Sequence, residues 1–156
     1  MMFKQLKYII FSLLLSICLN AISQEKYINI ADEQVKDLQF QLAITNYSKA
    51  LKKMKQETIK KRRIQQKIAD AYRLINNPEE AAGFYELIAD TKLAEKKPII
   101  YFNYAEVLRE LGKYELAKSY YQKYLSKFPD NKLALNGVYS CEIYSGSKKV
   151  SPYIIE

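Results

Sequence analysis

PIIYFNYAEVLRELGKYELAKSYYQKYLSKFP, residues 98–129, is the stretch whose reading decides the fold. At helical spacing, Tyr101, Tyr104, Ala105, Leu108 and Leu111 fall on one apolar face. Gly112 follows, where a helix end favours a left-handed residue without a Cβ. A second helical pattern runs through Ala117, Tyr120, Tyr121, Tyr124 and Leu125, and Pro129 cannot continue it. Two helices, a tight turn with Gly and a closing Pro describe an αα-hairpin.

The unit resembles a tetratricopeptide repeat (TPR), whose period is about 34 residues. Tyr101, Tyr104, Ala105, Leu108, Gly112, Tyr114, Ala117, Tyr121 and Pro129 fill the positions that carry the resemblance. Ala105 and Ala117 are small where two helices would cross closely, and the aromatics fill the space on either side. Tyr124 departs from the pattern, standing where such repeats usually have Ala, so the neighbouring helix must accommodate a larger side chain.

Outward from this unit the pattern recurs. Between Gln24 and about Met54, Tyr27, Ile30, Ala31 and Val35 precede Phe40, Ala43, Tyr47 and Ala50, with Leu38 at the turn position where Gly is common. From about Arg62 to Leu93, Ile68, Ala69, Tyr72 and Ile75 precede Ala81, Tyr85 and Ile88. The turn there is Asn76-Asn77-Pro78: Asn tolerates the left-handed conformation, and Pro suits a first helical turn. Ala43, Ala81 and Ala117 are equivalent and lie 38 and 36 residues apart, so lengthened second helices or linkers are expected. After Asp130 or Asn131 as a cap, Leu133, Ala134, Val138 and Cys141 give the segment from about Lys132 to Ile143 one apolar side. The resemblance implies an all-α fold, an α-α superhelix of about three TPR hairpins (about 24–57, 62–95 and 98–131), closed by a capping helix at 132–144.

The N-terminus reads as a secretory signal peptide over residues 1–23. Lys4 and Lys7 form the basic end, Tyr8 to Leu19 the apolar core, and Ala21 and Ser23 the small residues before cleavage at Gln24. An uncleaved anchor and a lipoprotein acylated on Cys18 are the alternatives. A TPR domain over 24–145 and a tail or linker over 146–156 complete the organisation. A leader, a few helical repeats, a capping helix with Ser140-Cys141-Glu142 and a short apolar tail, Val150 to Glu156, are together similar to the N-terminal part of certain Bacteroidetes envelope proteins. In that group a β-propeller and an OmpA-like domain follow, and some members are linked to gliding and type IX secretion.

Composition narrows the chemistry. Among 156 residues there is no His, which removes the commonest general base and metal ligand. No Gly-rich phosphate loop or CxxC is present, so no catalytic, cofactor-binding or metal site is expected, and an enzyme is not the reading. With the leader removed only Cys141 remains, and one Cys reads as a small buried residue. Net charge is +8, from 25 Lys and Arg against 17 Asp and Glu. The basic run from Lys52 to Arg63 has no interleaved aromatics, so it reads as exposed helix ends and a linker, not a nucleic-acid platform.

What remains is a surface. In TPR proteins the first helices line a groove for an extended peptide or a partner helix. Carried onto this chain, the inward positions are Ile28, Asp32, Val35 and Lys36; Arg63, Gln66, Asp70 and Arg73; and Ile99, Phe102, Glu106 and Arg109. One position of the clamp with which some relatives hold a terminal carboxylate is taken by Asp32, Asp70 and Glu106, so a free C-terminus is not the expected ligand. The resemblances imply an exported TPR scaffold or adaptor that binds envelope proteins in the periplasm or at the outer membrane, with peripheral membrane association left open and no nucleic-acid partner. The alternative is a structural envelope component, or the front part of an OmpA-like peptidoglycan-associated protein, with an empty groove.

Overall fold

The computed structural model describes residues 2–146; the tail from Val150 to Glu156 and the side chain of Cys18 lie outside what is described. Eight helices follow one another among the described residues: α1 (Met2–Lys36), α2 (Phe40–Lys52), α3 (Ile59–Leu74), α4 (Pro78–Ala89), α5 (Lys92–Lys96), α6 (Ile99–Glu110), α7 (Tyr114–Leu125) and α8 (Lys132–Tyr144). The chain divides into two compact units, residues 1–64 and 65–156.

In the first unit α1 packs on α2. Ala31, Ala43, Tyr47 and Ala50 are buried, as the small-aromatic-small pattern requires. The segment read as a leader and the first helix of the first hairpin form one continuous helix, Met2–Lys36. Among the described residues no helix is long and apolar enough to cross a membrane.

The second unit holds a single core. Ala69 of α3, Ala81, Tyr85 and Ile88 of α4, Ile100, Tyr104, Ala105 and Leu108 of α6, Ala117 and Tyr121 of α7, and Ala134 and Cys141 of α8 all belong to it. The alanines at 105 and 117 are fully buried, and that close approach lets α6 and α7 run side by side. Tyr124 is accommodated by aromatic neighbours: its ring lies 5.3 Å from Phe102 and 5.0 Å from Phe128. Cys141 is buried and free, and burial raises its thiol pKa.

The extra length between equivalent alanines is taken up in two ways. Residues 53–58 link α2 to α3, and the short helix α5, which the sequence pattern does not announce, sits between α4 and α6. Thr91 caps α5 by accepting from the Leu93 N–H at 3.3 Å. Asn77 caps α4 through the Glu80 N–H at 3.3 Å, with Pro78 in the first turn. Of the two candidate caps for α8, Asn131 serves, accepting from the Ala134 N–H at 3.0 Å.

Four helices end on the same left-handed turn, at Leu38 (φ 59°), Asn76 (φ 56°), Gly112 (φ 71°) and Gly146 (φ 76°). At the third, the Gly112 N–H reaches the Arg109 carbonyl at 3.0 Å and the Lys113 N–H the Leu108 carbonyl at 2.9 Å. Those two bonds are a Schellman cap. Leu38 with Gln39, and Asn76 with Asn77, make the equivalent pair of bonds.

Candidate functional site

In each hairpin the second helix fixes a polar group of the first. The Tyr47 hydroxyl donates to Asp32, that of Tyr85 to Asp70, and that of Tyr121 to Glu106. Each pair is separated by 15 residues, so it is one contact repeated in three hairpins. A buried Tyr carries a hydroxyl that needs a partner, and a carboxylate at this position supplies it. Burial, then the adjoining acid, raises the pKa of Tyr47 and of Tyr121 well above the ordinary value. Tyr85 is raised in the same direction by burial and by the charge of Asp70. These phenols therefore stay protonated and act as donors.

In the second unit the faces of α3 and α6 meet through polar side chains. The Asn103 amide donates to Asp70 at 3.2 Å, and Gln66 donates to the same carboxylate at 3.3 Å. Arg73 interacts with the Tyr85 hydroxyl, and its Nε is buried without a hydrogen-bond partner. On α6, Arg109 donates to Glu106 at 2.9 Å and, through Nε, to the Tyr121 hydroxyl at 3.2 Å. Tyr121, Glu106 and Arg109 thus close a triangle, and its hydrogen bonds to Tyr121 and then Glu106 raise the Arg109 pKa further. Phe102 is half-buried, with its ring 5.8 Å from Tyr121. It serves the core and the surface together.

In the first unit Asp32 is half-buried, and Lys36 is exposed and paired with Glu33 at 2.7 Å. Arg63 is exposed on α3. The second unit brings Gln66, Asp70, Arg73, Glu106 and Arg109 into hydrogen-bonded or charge contact with their neighbours, and in the first unit Lys36 feels the charge of Asp32 as well as that of Glu33. Sequence reasoning missed the three tyrosines and Asn103 as the groups that orient the acids. The signal for the tyrosines is present in the sequence as the constant 15-residue offset from Asp32, Asp70 and Glu106; nothing comparable marks Asn103.

Residues 98–131 match the family model of the tetratricopeptide repeat. By sequence, no curated protein matches the chain. Solved structures share its fold. The Arabidopsis OM64 TPR domain is 20% identical with a TM-score of 0.62, covering 78% of this chain and 96% of its own. The Sgt2 TPR domain of Aspergillus fumigatus is 16% identical with a TM-score of 0.59, covering 85% and 89%. The second TPR domain of human RPAP3, solved in complex with the HSP70 peptide SGPTIEEVD, is 21% identical with a TM-score of 0.61, covering 84% and 98%. The chain is thus an all-α protein with the TPR fold, and its best-matching repeat is the one on which the sequence reading was built.

Proposed function

We propose that the chain is an exported adaptor of the cell envelope, in the periplasm or at the outer membrane, that binds another protein through the inward faces of α3 and α6. The observation that carries this reading is the row of Asp70, Arg73, Phe102, Glu106 and Arg109, half-buried and held by hydrogen bonds and ring contacts. Polar groups fixed in advance lose little freedom on binding, which favours a specific partner. The RPAP3 domain holds an acidic peptide; here Asp70 and Glu106 would repel a terminal carboxylate. The ligand of this groove is therefore an internal segment or a helix of its partner. Localisation and the link to gliding or secretion assemblies rest on the leader pattern and on the order of parts in the sequence.

The test is capture from envelope extract by the immobilised full chain. Arg73→Glu, with an unchanged far-UV spectrum and melting curve, should lower capture of the specific partner at least about tenfold, the effect of reversing a charge in a partly desolvated site. Equal capture would remove the groove from the reading. Amino-terminal sequencing of the protein recovered by fractionation tests export, with Gln24 expected first. A structural role without a groove ligand is the second reading. It is favoured by the fact that each inward acid already has a partner within its own hairpin.

A further inference from the structure

The charge of the chain is unevenly placed. Between Lys49 and Arg63 there are eight basic side chains and one acid, Glu57, a net of +7 against +8 for the whole chain. All of it lies in the first unit, at the end of α2, the link 53–58 and the start of α3. One turn of α1 gathers this segment. The Gln24 side-chain amide donates to the Lys53 carbonyl at 2.9 Å, and the next residue, Glu25, pairs with Lys60. The Tyr27 ring lies beneath Lys49 at 5.7 Å and Lys53 at 6.0 Å.

Few of these cations are neutralised. Lys60 pairs with Glu25 and Lys61 with Glu57, while Lys52, Lys55, Arg62 and Arg63 form no ion pair among the described residues. Lys52, Lys55 and Arg63 are exposed, and Arg62 is half-exposed. Exposed, unpaired cations gathered around an aromatic ring make an arrangement that anionic lipid headgroups favour.

We propose that the cluster around Gln24 is a contact surface for anionic phospholipid headgroups, holding the first unit against a membrane. The inference rests on the envelope reading only in placing the chain beside a membrane, and, Arg63 apart, it uses different residues from the α3 and α6 groove.

The experiment is vesicle co-sedimentation of the mature chain, beginning at Gln24, on neutral phosphatidylcholine and on vesicles with about three-tenths phosphatidylglycerol, at low and high salt. The wild type should partition about tenfold or more in favour of the anionic vesicles at low salt, and lose that preference at high salt. In the variant Lys52→Glu, Lys55→Glu, Arg62→Glu the anionic-to-neutral ratio should fall to near one, with binding to neutral vesicles and the circular dichroism spectrum unchanged. An equal preference in the variant, or none in the wild type, overturns the proposal. So does a variant that loses binding to a single-stranded oligonucleotide but keeps its preference for anionic vesicles. Capture of the groove partner by the variant should be unaffected, so failure here and failure of the adaptor reading are told apart.

Discussion

The hairpins α1–α2 and α6–α7 solve one folding problem with different residues. Both turn through a left-handed residue, but α1 ends on Leu38 and α6 on Gly112. Both seat a buried tyrosine hydroxyl on a first-helix acid, Tyr47 on Asp32 and Tyr121 on Glu106. Three residues beyond the acid the first hairpin has Val35, whereas the third has Arg109, which closes the polar triangle. The difference separates what the fold demands from what the local sequence prefers. The turn and the hydroxyl–acid contact are constant, so packing imposes them; the turn residue and the Arg vary, so they tune stability and surface charge around a fixed frame.

The largest effect expected from this frame is alkaline. In the second unit burial raises the pKa of Tyr104 to about 12, and raises Tyr85, Tyr120 and Tyr121 further. In the first unit Tyr47 is raised in the same way. The unfolded chain ionises these phenols near pH 10, while the folded chain holds them neutral. The stability they confer is complete below about pH 10 and is lost as pH rises toward the folded values, because the unfolded state then releases protons that the native state keeps. Thermal melts from pH 8 to 11.5 should show a falling midpoint above pH 10, with tyrosinate absorbance at 295 nm appearing together with unfolding. Amide exchange should show the second unit, with more shifted tyrosines, opening before the first. A flat midpoint through pH 11 would break the picture of buried neutral phenols.

Next comes the seat of Tyr121. A Cβ added at Gly137 of α8 would stand 2.4 Å from Cζ of the Tyr121 ring. Gly137→Ala should cost about 1–2 kcal/mol, since overpacking a filled core costs roughly 1–3 kcal/mol and the helix regains part of it from Ala. Gly83→Ala in α4 is the control: its added Cβ meets nothing within 4 Å, so it should gain about 0.5–1 kcal/mol. Urea unfolding of the two variants should move the midpoint in opposite directions.

A smaller change follows from the hydroxyls themselves. Tyr121→Phe leaves the ring in place but removes one bond to Glu106 and one from Arg109, while the Glu106–Arg109 pair persists. The expected loss is about 1 kcal/mol, the usual net worth of such bonds when the remaining charges stay paired. A neutral result would mean that the 15-residue offset is a by-product of packing and not a stabilising contact.

Much of this frame was legible in the residues. Gly112 and Asn76 mark their turns because few other side chains tolerate that backbone, and Ala105 and Ala117 mark a helix crossing because nothing larger fits. The short helix α5 was not legible: five residues carry too little periodicity, and its Leu93 and Ala94 belong to a core assembled from distant segments. The proposed inward row was read from the register, but the partners of its acids were not. Whether Asp70 faces a ligand or Tyr85 depends on an atom 15 residues away in sequence and on Asn103, 33 residues away.

Leu38 gives the sharpest test at the smallest cost in structure. A non-Gly residue held in the left-handed region is strained by roughly 1–2 kcal/mol, because its Cβ approaches its own backbone. The Leu38 side chain recovers little through burial, being 73% exposed. Leu38→Gly relieves the strain but gives the unfolded chain more freedom, so the net gain should be about 0.5–1 kcal/mol. Gly112→Ala runs the comparison backwards and should lose about 1 kcal/mol at the equivalent turn, where an added Cβ meets no neighbouring atom and only the backbone objects. Differential scanning calorimetry of both variants decides the matter. Opposite shifts of similar size mean that the two hairpins share one turn and differ in how well their residues suit it. A loss at Leu38 would mean instead that this leucine is held in place by a contact of its side chain that outweighs the strain.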